Sequence, residues 1–194
     1  IQHLFGWFVL STKCTQEQAD AAMKRISITT DPEFAAKDAD IINESIPENP
    51  DLKVKVFSLF HKLCPKRTIF TTNTSTFLPS MIAEATGRPD KFLALHFHDV
   101  KVTNVVDIMP HPGTSKEAIQ LVKDFALKTG QLPIMMEKEH SGYVFNYMLG
   151  ALFTAALSLK TKNVASIEDI DRAWMGVTHM LAGPFALMDG IGLD

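Results

Sequence analysis

LALHFHDV, residues 93–100, joins three apolar residues to two histidines one residue apart and then to an aspartate. A short apolar run bounded by polar residues reads as a strand buried within a sheet. Its end at His96, His98 and Asp99 sets titratable groups at the strand's carboxyl terminus. In open α/β sheets that edge is where ligands bind. The stretch therefore points both to a fold and to the edge that carries its chemistry.

The pattern alternates around it. RISITT (25–30) is rich in β-branched residues and reads as a strand, and ADIIN (39–43) as another. In DLKVKVFSLFHKLC (51–64), Leu52, Val56, Leu59, Phe60 and Leu63 recur at helical spacing, and Pro65 stops the helix. RTIFTT (67–72) is a strand running into a polar turn, and FLPSMIAEATG (77–87) a short helix closed by Gly87. TNVVDIM (103–109) and QLPIMM (131–136) read as strands on either side of an amphipathic helix, SKEAIQLVKDFALKTG (115–130), N-capped by Ser115 or Thr114. Strands alternating with helices argue for a parallel, doubly wound α/β sheet. After residue 140 the alternation stops. YVFNYMLGALFTAALSLKTK (143–162) is apolar all round and should be buried. SIEDIDRAWMGVTHML (166–181) opens on a capping box of Ser166 and Asp169, and GPF (183–185) follows. The reading is a partial doubly wound domain over 1–140 and the start of an all-helical domain over 141–194.

Bulk properties narrow the function classes. The 194 residues carry a net charge of −3 with cations spread along the chain, so no basic face for nucleic acid is expected. Two cysteines, Cys14 and Cys64, make neither a disulfide framework nor a four-ligand zinc site, and a reducing, cytoplasmic setting is expected. LFGWFVL (4–10) is too short to cross a bilayer and lacks the charged segment that would precede it in a secretion signal, so no membrane association is expected. The first residue is Ile1, and the chain reads as part of something longer.

Polar groups follow three successive strands: Glu44, Ser45, Glu48 and Asn49, then Asn73, Thr74, Ser75 and Thr76, then His96, His98 and Asp99. The ordered runs ESIPEN, NTST, RPDKFLALHF, VVDIM, SGYVFN and GPFALMDGIGLD, spread over roughly residues 24–194, resemble the 3-hydroxyacyl-CoA dehydrogenase family, its 3-hydroxybutyryl-CoA members in particular. The resemblance implies a Rossmann-like nucleotide-binding domain, a helical domain that mediates a homodimer, NAD as cofactor, a 3-hydroxyacyl-CoA substrate and a place in fatty acid metabolism. By position, His96 matches the catalytic histidine and Asp107 its carboxylate partner. Ser75 matches the serine that contacts substrate and cofactor, and Asn146 the asparagine on the first helix of the second domain. Glu48, Lys53 and Asp99 fall at cofactor-side positions, with Lys53 also toward the substrate. The chemistry suits those roles. A neutral imidazole accepts a hydroxyl proton near pH 7, and a carboxylate on its far nitrogen holds the tautomer.

The sequence also departs from the family. None of its ten glycines form the GxGxxG turn that holds a pyrophosphate, so this polypeptide is expected to bind NAD weakly or not at all. Asp107 stands where the family has glutamate, Asp99 where asparagine is common and Ser141 where proline is common. Two rival readings stay open: a dehydrogenase of free hydroxy or sugar acids, and a cofactor-deficient, non-catalytic interaction module of the same fold. His98 reads as a cleft-lining or surface residue. His96, His98 and Asp99 lack a further ligand at convincing spacing, and no metal site is expected. Ser75 doubles as a turn or capping residue. Asn146, in an apolar helix, requires hydrogen-bond partners.

Overall fold

The computed structural model describes residues 1–192 as two compact units, Ile1–Ser141 and Gly142 onward. Leu193 and Asp194, the end of the GPFALMDGIGLD run, lie outside the described residues.

The first unit opens with three helices, α1 (Gln2–Leu10), α2 (Gln16–Met23) and α3 (Pro32–Ala36). The apolar LFGWFVL run is thus the body of α1, and no described helix is long and apolar enough to cross a membrane. Thr15 and Gln18 form a reciprocal capping box at the start of α2. Between α2 and α3 the RISITT segment forms no strand, which corrects the sequence expectation. Ile28 is 85% exposed there. β-branched residues favour strands through packing on a neighbour, and this segment has no strand beside it in the described sheet.

The sheet runs β1 (Ile41–Glu44), β2 (Ile69–Thr72), β3 (Phe92–Phe97), β4 (Val105–Pro110) and β5 (Leu132–Met135), in that spatial order. β1, β2 and β3 are parallel, as are β4 and β5. β3 and β4 are antiparallel, which corrects the all-parallel expectation. The reason is the connection. Residues 98–104 form a short loop without a helix, and a chain that turns back over so few residues pairs antiparallel. The register sets His96 directly opposite Asp107.

Helices cover both faces. α4 (Pro50–Leu63) starts on an Asn49 cap, and its Phe57 stacks on Phe70 at 5.6 Å and meets Phe92 edge-on at 5.1 Å. Such pairs contribute about 0.5–1.5 kcal/mol each beyond area burial. α5 (Lys116–Lys128), capped by Ser115, lays Ala118, Val122 and Ala126 on Leu93, Leu95, Val106 and Ile108. Side chains alternate across a strand. With Leu93 and Leu95 toward α5, Phe92 and His96 take the opposite face, and Asp107, flanked by Val106 and Ile108, joins them.

The segment expected as one helix at 77–87 is instead two 3₁₀ turns, Pro79–Met81 and Glu84–Thr86. Gly87 closes the second at φ 69°, and a Cβ there would sit 2.7 Å from the His61 ring. The tight approach lets the buried Arg88 staple the end of α4. Its guanidinium donates to the carbonyls of His61, Pro65 and Thr68 and lies 4.4 Å from the Phe70 ring centre. Burial pulls the Arg88 pKa down from its ordinary value, and burial likewise pushes the neighbouring Cys64 thiol up.

The second unit comprises α6 (Phe145–Thr161), α7 (Ile167–Thr178) and α8 (Pro184–Ile191). Ser166 caps α7 by accepting from the Asp169 amide, and the Asp169 carboxylate accepts from the Ser166 hydroxyl rather than from its amide. The Asp171 carboxylate caps α8 by accepting from the amides of Phe185 and Ala186 at 2.8 and 2.9 Å. That seat needs glycine at 183, since a Cβ would lie 2.5 Å from the Asp171 Cα. α6 departs from its expected burial. Ala156 is its one buried residue, while Phe145, Tyr147, Met148 and Leu157 are exposed.

Candidate active site at the carboxyl edge of the sheet

Three loops meet at the carboxyl ends of β1, β2 and β3. Asn73, just past β2, accepts from the Phe97 amide at 2.8 Å through its side chain and donates its own amide to the Glu44 carbonyl at 2.7 Å. Asn43 donates to the Leu95 carbonyl at 3.1 Å. These side chains tie the three strand ends together and hold His96 in place from both sides.

Beneath the first loop lies a closed charge network. Lys53, on α4, is 1% exposed, and its ammonium donates to both Glu44 carboxylate oxygens at 2.8 and 3.0 Å. It also reaches the Ile46 carbonyl and lies 3.2 Å from Glu48. Glu44 accepts further from Thr72 Oγ1 at 2.7 Å and from the Ile46 amide at 2.6 Å. Glu48, with 39% of its side chain exposed, accepts from Thr74 Oγ1 at 2.7 Å and from the Ser75 amide at 2.9 Å. Burial pushes the Glu48 carboxyl up, but the bonds from Thr74 and Ser75 and the Lys53 ammonium outweigh it and hold the group below the usual carboxylate range. Lys53 and Glu48 thus meet each other, and Glu48 is the member that reaches the surface. Ser75 is half-buried on the turn that Glu48 holds.

The second cluster spans β3 and β4. His96 Nδ1 lies 3.1 Å from Asp107 Oδ2, and His98 Nε2 lies 2.9 Å from the same oxygen. The Asp107 side chain is 1% exposed, that of His96 8% and that of His98 14%. The two rings meet edge-on at 4.8 Å. Aspartate reaches His96 despite lacking a methylene because the antiparallel register sets the two residues face to face. With Asp107 ionised, both rings donate N–H to it. His96 then carries its proton on Nδ1 and presents Nε2 as the basic nitrogen.

His98, expected as a cleft-lining or surface residue, joins the cluster through a partner that the sequence reading did not give it, Asp107, nine residues further along the chain. Asp99 stays out of the cluster. It is exposed and accepts from the Lys101 amide at 2.9 Å, shaping its own turn. Asn146 occupies the first turn of α6, in the second unit, and is half-buried. Ser141, at the end of the first unit, donates to the Thr76 carbonyl at 3.2 Å.

A three-layer α/β unit with polar loops at one carboxyl edge is of the kind that binds nucleotides there. Residues 1–140 match the family described as 3-hydroxyacyl-CoA dehydrogenase, NAD binding domain, and residues 142–194 match 3-hydroxyacyl-CoA dehydrogenase, C-terminal domain. The chain belongs to the 3-hydroxyacyl-CoA dehydrogenase family. It is 32% identical over 188 residues to the mitochondrial hydroxyacyl-coenzyme A dehydrogenase of Rattus norvegicus, covering 96% of this chain and 60% of the relative. It is 36% identical over 174 residues to 3-hydroxybutyryl-CoA dehydrogenase of Clostridioides difficile, covering 89% and 61%. A solved structure described as a diketoreductase with dual catalysis of dicarbonyl compounds superposes with a TM-score of 0.92 at 38% identity, over 99% of this chain and 69% of that one. The chain spans about three fifths of the length of the curated relatives it matches.

Proposed function

We propose that the chain belongs to an NAD-dependent oxidoreductase that interconverts 3-hydroxyacyl-CoA and 3-oxoacyl-CoA, with His96 as its acid–base group. The observation that carries the reading is the His96–Asp107 pair, held face to face across β3 and β4 at the carboxyl edge. In the oxidative direction His96 Nε2 accepts the proton of the substrate hydroxyl. The buried Asp107 carboxylate, already bonded to Nδ1–H, stabilises the imidazolium that forms. In the reductive direction the same nitrogen returns the proton to the nascent alkoxide. Ser75 is assigned to holding the substrate oxygen, and Asn146, in the second unit, keeps the part that its family position implies.

The residues present fit the nicotinamide end of the cofactor. Glu48 keeps a partly exposed carboxylate at the strand edge, beside the Ser75 turn it holds, and these two would border the cofactor there. Asp99 is exposed on the adjoining loop and belongs to the same assignment. Lys53 acts through Glu48, since its ammonium is committed inside the protein. Bound NAD supplies the hydride acceptor. A homodimer is the assembly we infer, and the exposed Phe145, Tyr147 and Met148 of α6 support it. The unpaired Cys14 and Cys64 support a reducing, cytoplasmic location.

A second reading rests on the diketoreductase likeness: a substrate that is a free dicarbonyl compound rather than a thioester. The test is NADH oxidation by the protein expressed from its complete reading frame, with acetoacetyl-CoA beside a free dicarbonyl compound that carries no thioester. Preference for the thioester supports the first reading, and preference for the free dicarbonyl the second. In either case His96→Ala should lower turnover by about a hundred- to ten-thousand-fold, the usual contribution of general acid–base assistance. A variant as active as the parent overturns the assignment of His96.

A further inference from the structure

The mechanism uses one of the two histidines bonded to Asp107. The other, His98, lies alongside it without an assigned part. His96 Nδ1, His98 Nε2 and the Asp107 carboxylate are three donor atoms within 4.8 Å of one another. His96 lies on β3 directly opposite Asp107 on β4, and His98 is the first residue past the end of β3. Two imidazole nitrogens and one carboxylate oxygen are the donor set of three-ligand zinc sites that keep a fourth position open. The ladder fixes the backbone at His96 and Asp107, and the contact of His98 with the same carboxylate oxygen brings the third donor in.

We propose that His96, His98 and Asp107 form a site for a single zinc-class divalent cation, and that its occupation switches His96 off as a base. Around a tetrahedral ion with bonds of about 2.0–2.2 Å, donors stand about 3.4 Å apart. The two nitrogen–oxygen separations, 3.1 and 2.9 Å, open by a few tenths of an ångström to reach that spacing. The two nitrogens draw together to match. Half-buried His98 provides the more exposed side for entry.

The chemical consequence follows from the tautomer. While Asp107 accepts from His96 Nδ1–H, the basic lone pair is on Nε2. A cation bound at Nδ1 needs the lone pair on Nδ1 instead, so the ring's one proton moves to Nε2. His98 exchanges in the opposite sense, with its proton passing from Nε2 to Nδ1. Neither ring gains or loses a proton overall. A His96 that carries Nε2–H has nothing with which to accept a hydroxyl proton. Binding stands independently of the proposed reaction, and only the inhibition rests on it.

The experiment titrates the 194-residue chain with Co²⁺, read by its ligand-field absorption, and then displaces it with Zn²⁺. The parallel variants are His98→Gln and Asp99→Asn, with circular dichroism to confirm that each is folded. Expected are one tetrahedral-type site, binding weakened at least about tenfold in His98→Gln, and binding retained in Asp99→Asn. Proton-coupled ¹⁵N spectra should show the His96 proton pass from Nδ1 to Nε2 on Zn²⁺ addition. In the active full-length protein, saturating Zn²⁺ should lower turnover at least about tenfold. Absence of binding overturns the proposal, as does binding unchanged in His98→Gln, binding lost in Asp99→Asn, or an unmoved His96 proton. Zn²⁺ binding with undiminished turnover leaves the site standing and overturns His96 as the base.

Discussion

The sheet edge holds two ionisable clusters built on different principles. In the first, Lys53, Glu44 and Glu48 join through short bonds in which the ammonium and both carboxylates are answered within the protein. In the second, one buried carboxylate oxygen serves two imidazoles, and each ring has a second nitrogen beyond the reach of that bond. A cluster whose charges are all spent locally can hold a loop but cannot pass a proton. A cluster of imidazoles, each with one nitrogen that can donate a proton and one that can accept one, can do so. The contrast assigns architecture to one and chemistry to the other, although both lie at the ends of neighbouring strands.

The sharpest way to break that contrast is Lys53→Ala. It leaves Glu44 as an uncompensated carboxylate, 4% exposed, and should cost about 3–5 kcal/mol of stability. Urea denaturation of the first unit measures it. Replacing Lys53 and Glu44 together by Met and Leu should recover most of that loss, because the buried charge goes with its partner. A double variant no more stable than Lys53→Ala would show that the pair does more than neutralise itself.

The histidine cluster should respond the other way round. Asp107→Asn keeps the size of the side chain, and its amide oxygen can still accept. It should lower stability by about 1 kcal/mol, the net worth of a typical hydrogen bond. Turnover of the full-length protein should nevertheless fall about a hundredfold or more, because the amide no longer stabilises the imidazolium. If denaturation shows a loss as large as that of Lys53→Ala, the division between the two clusters fails.

Much of this edge is legible in the sequence, and what is not has physical reasons. The strand that carries His96 at its carboxyl end and the Ser115 cap follow from local patterns. Local chemistry gives no register. That Asp107 faces both His96 and His98, while Asp99 turns away, depends on an antiparallel pairing that spacing alone does not disclose. Lys53 is expected at a cofactor- and substrate-side position, and only the fold shows its ammonium committed to Glu44 inside the protein. The RISITT segment shows the reverse error, since strand propensity is realised only where a neighbour exists to pack on. α6 teaches a related lesson. An apolar surface calls for cover, but sequence does not say that cover comes from the described residues.

The smallest expected effect distinguishes the exposed rim of the charge network from its buried floor. The Glu48 carboxyl sits below its ordinary value, against the push of burial, through Thr74, Ser75 and Lys53. A carboxyl whose folded value is depressed contributes stability that is fully present above its unfolded value, near 4.5, and is lost as pH falls through the folded value. Stability should therefore be insensitive to Glu48 at neutral pH and decline below about pH 4.5, which urea midpoints taken from pH 7 to pH 3 can follow. Solvent reaches this carboxylate, so its share should stay under about 1 kcal/mol. Glu48→Gln should be slightly less stable than the parent at pH 7 and should converge on it toward pH 3, because a protonated Glu48 and a glutamine offer Lys53 and Ser75 the same neutral acceptor. A gap between the two proteins that persists unchanged at pH 3 would mean that Glu48 acts through its packing and not through its charge.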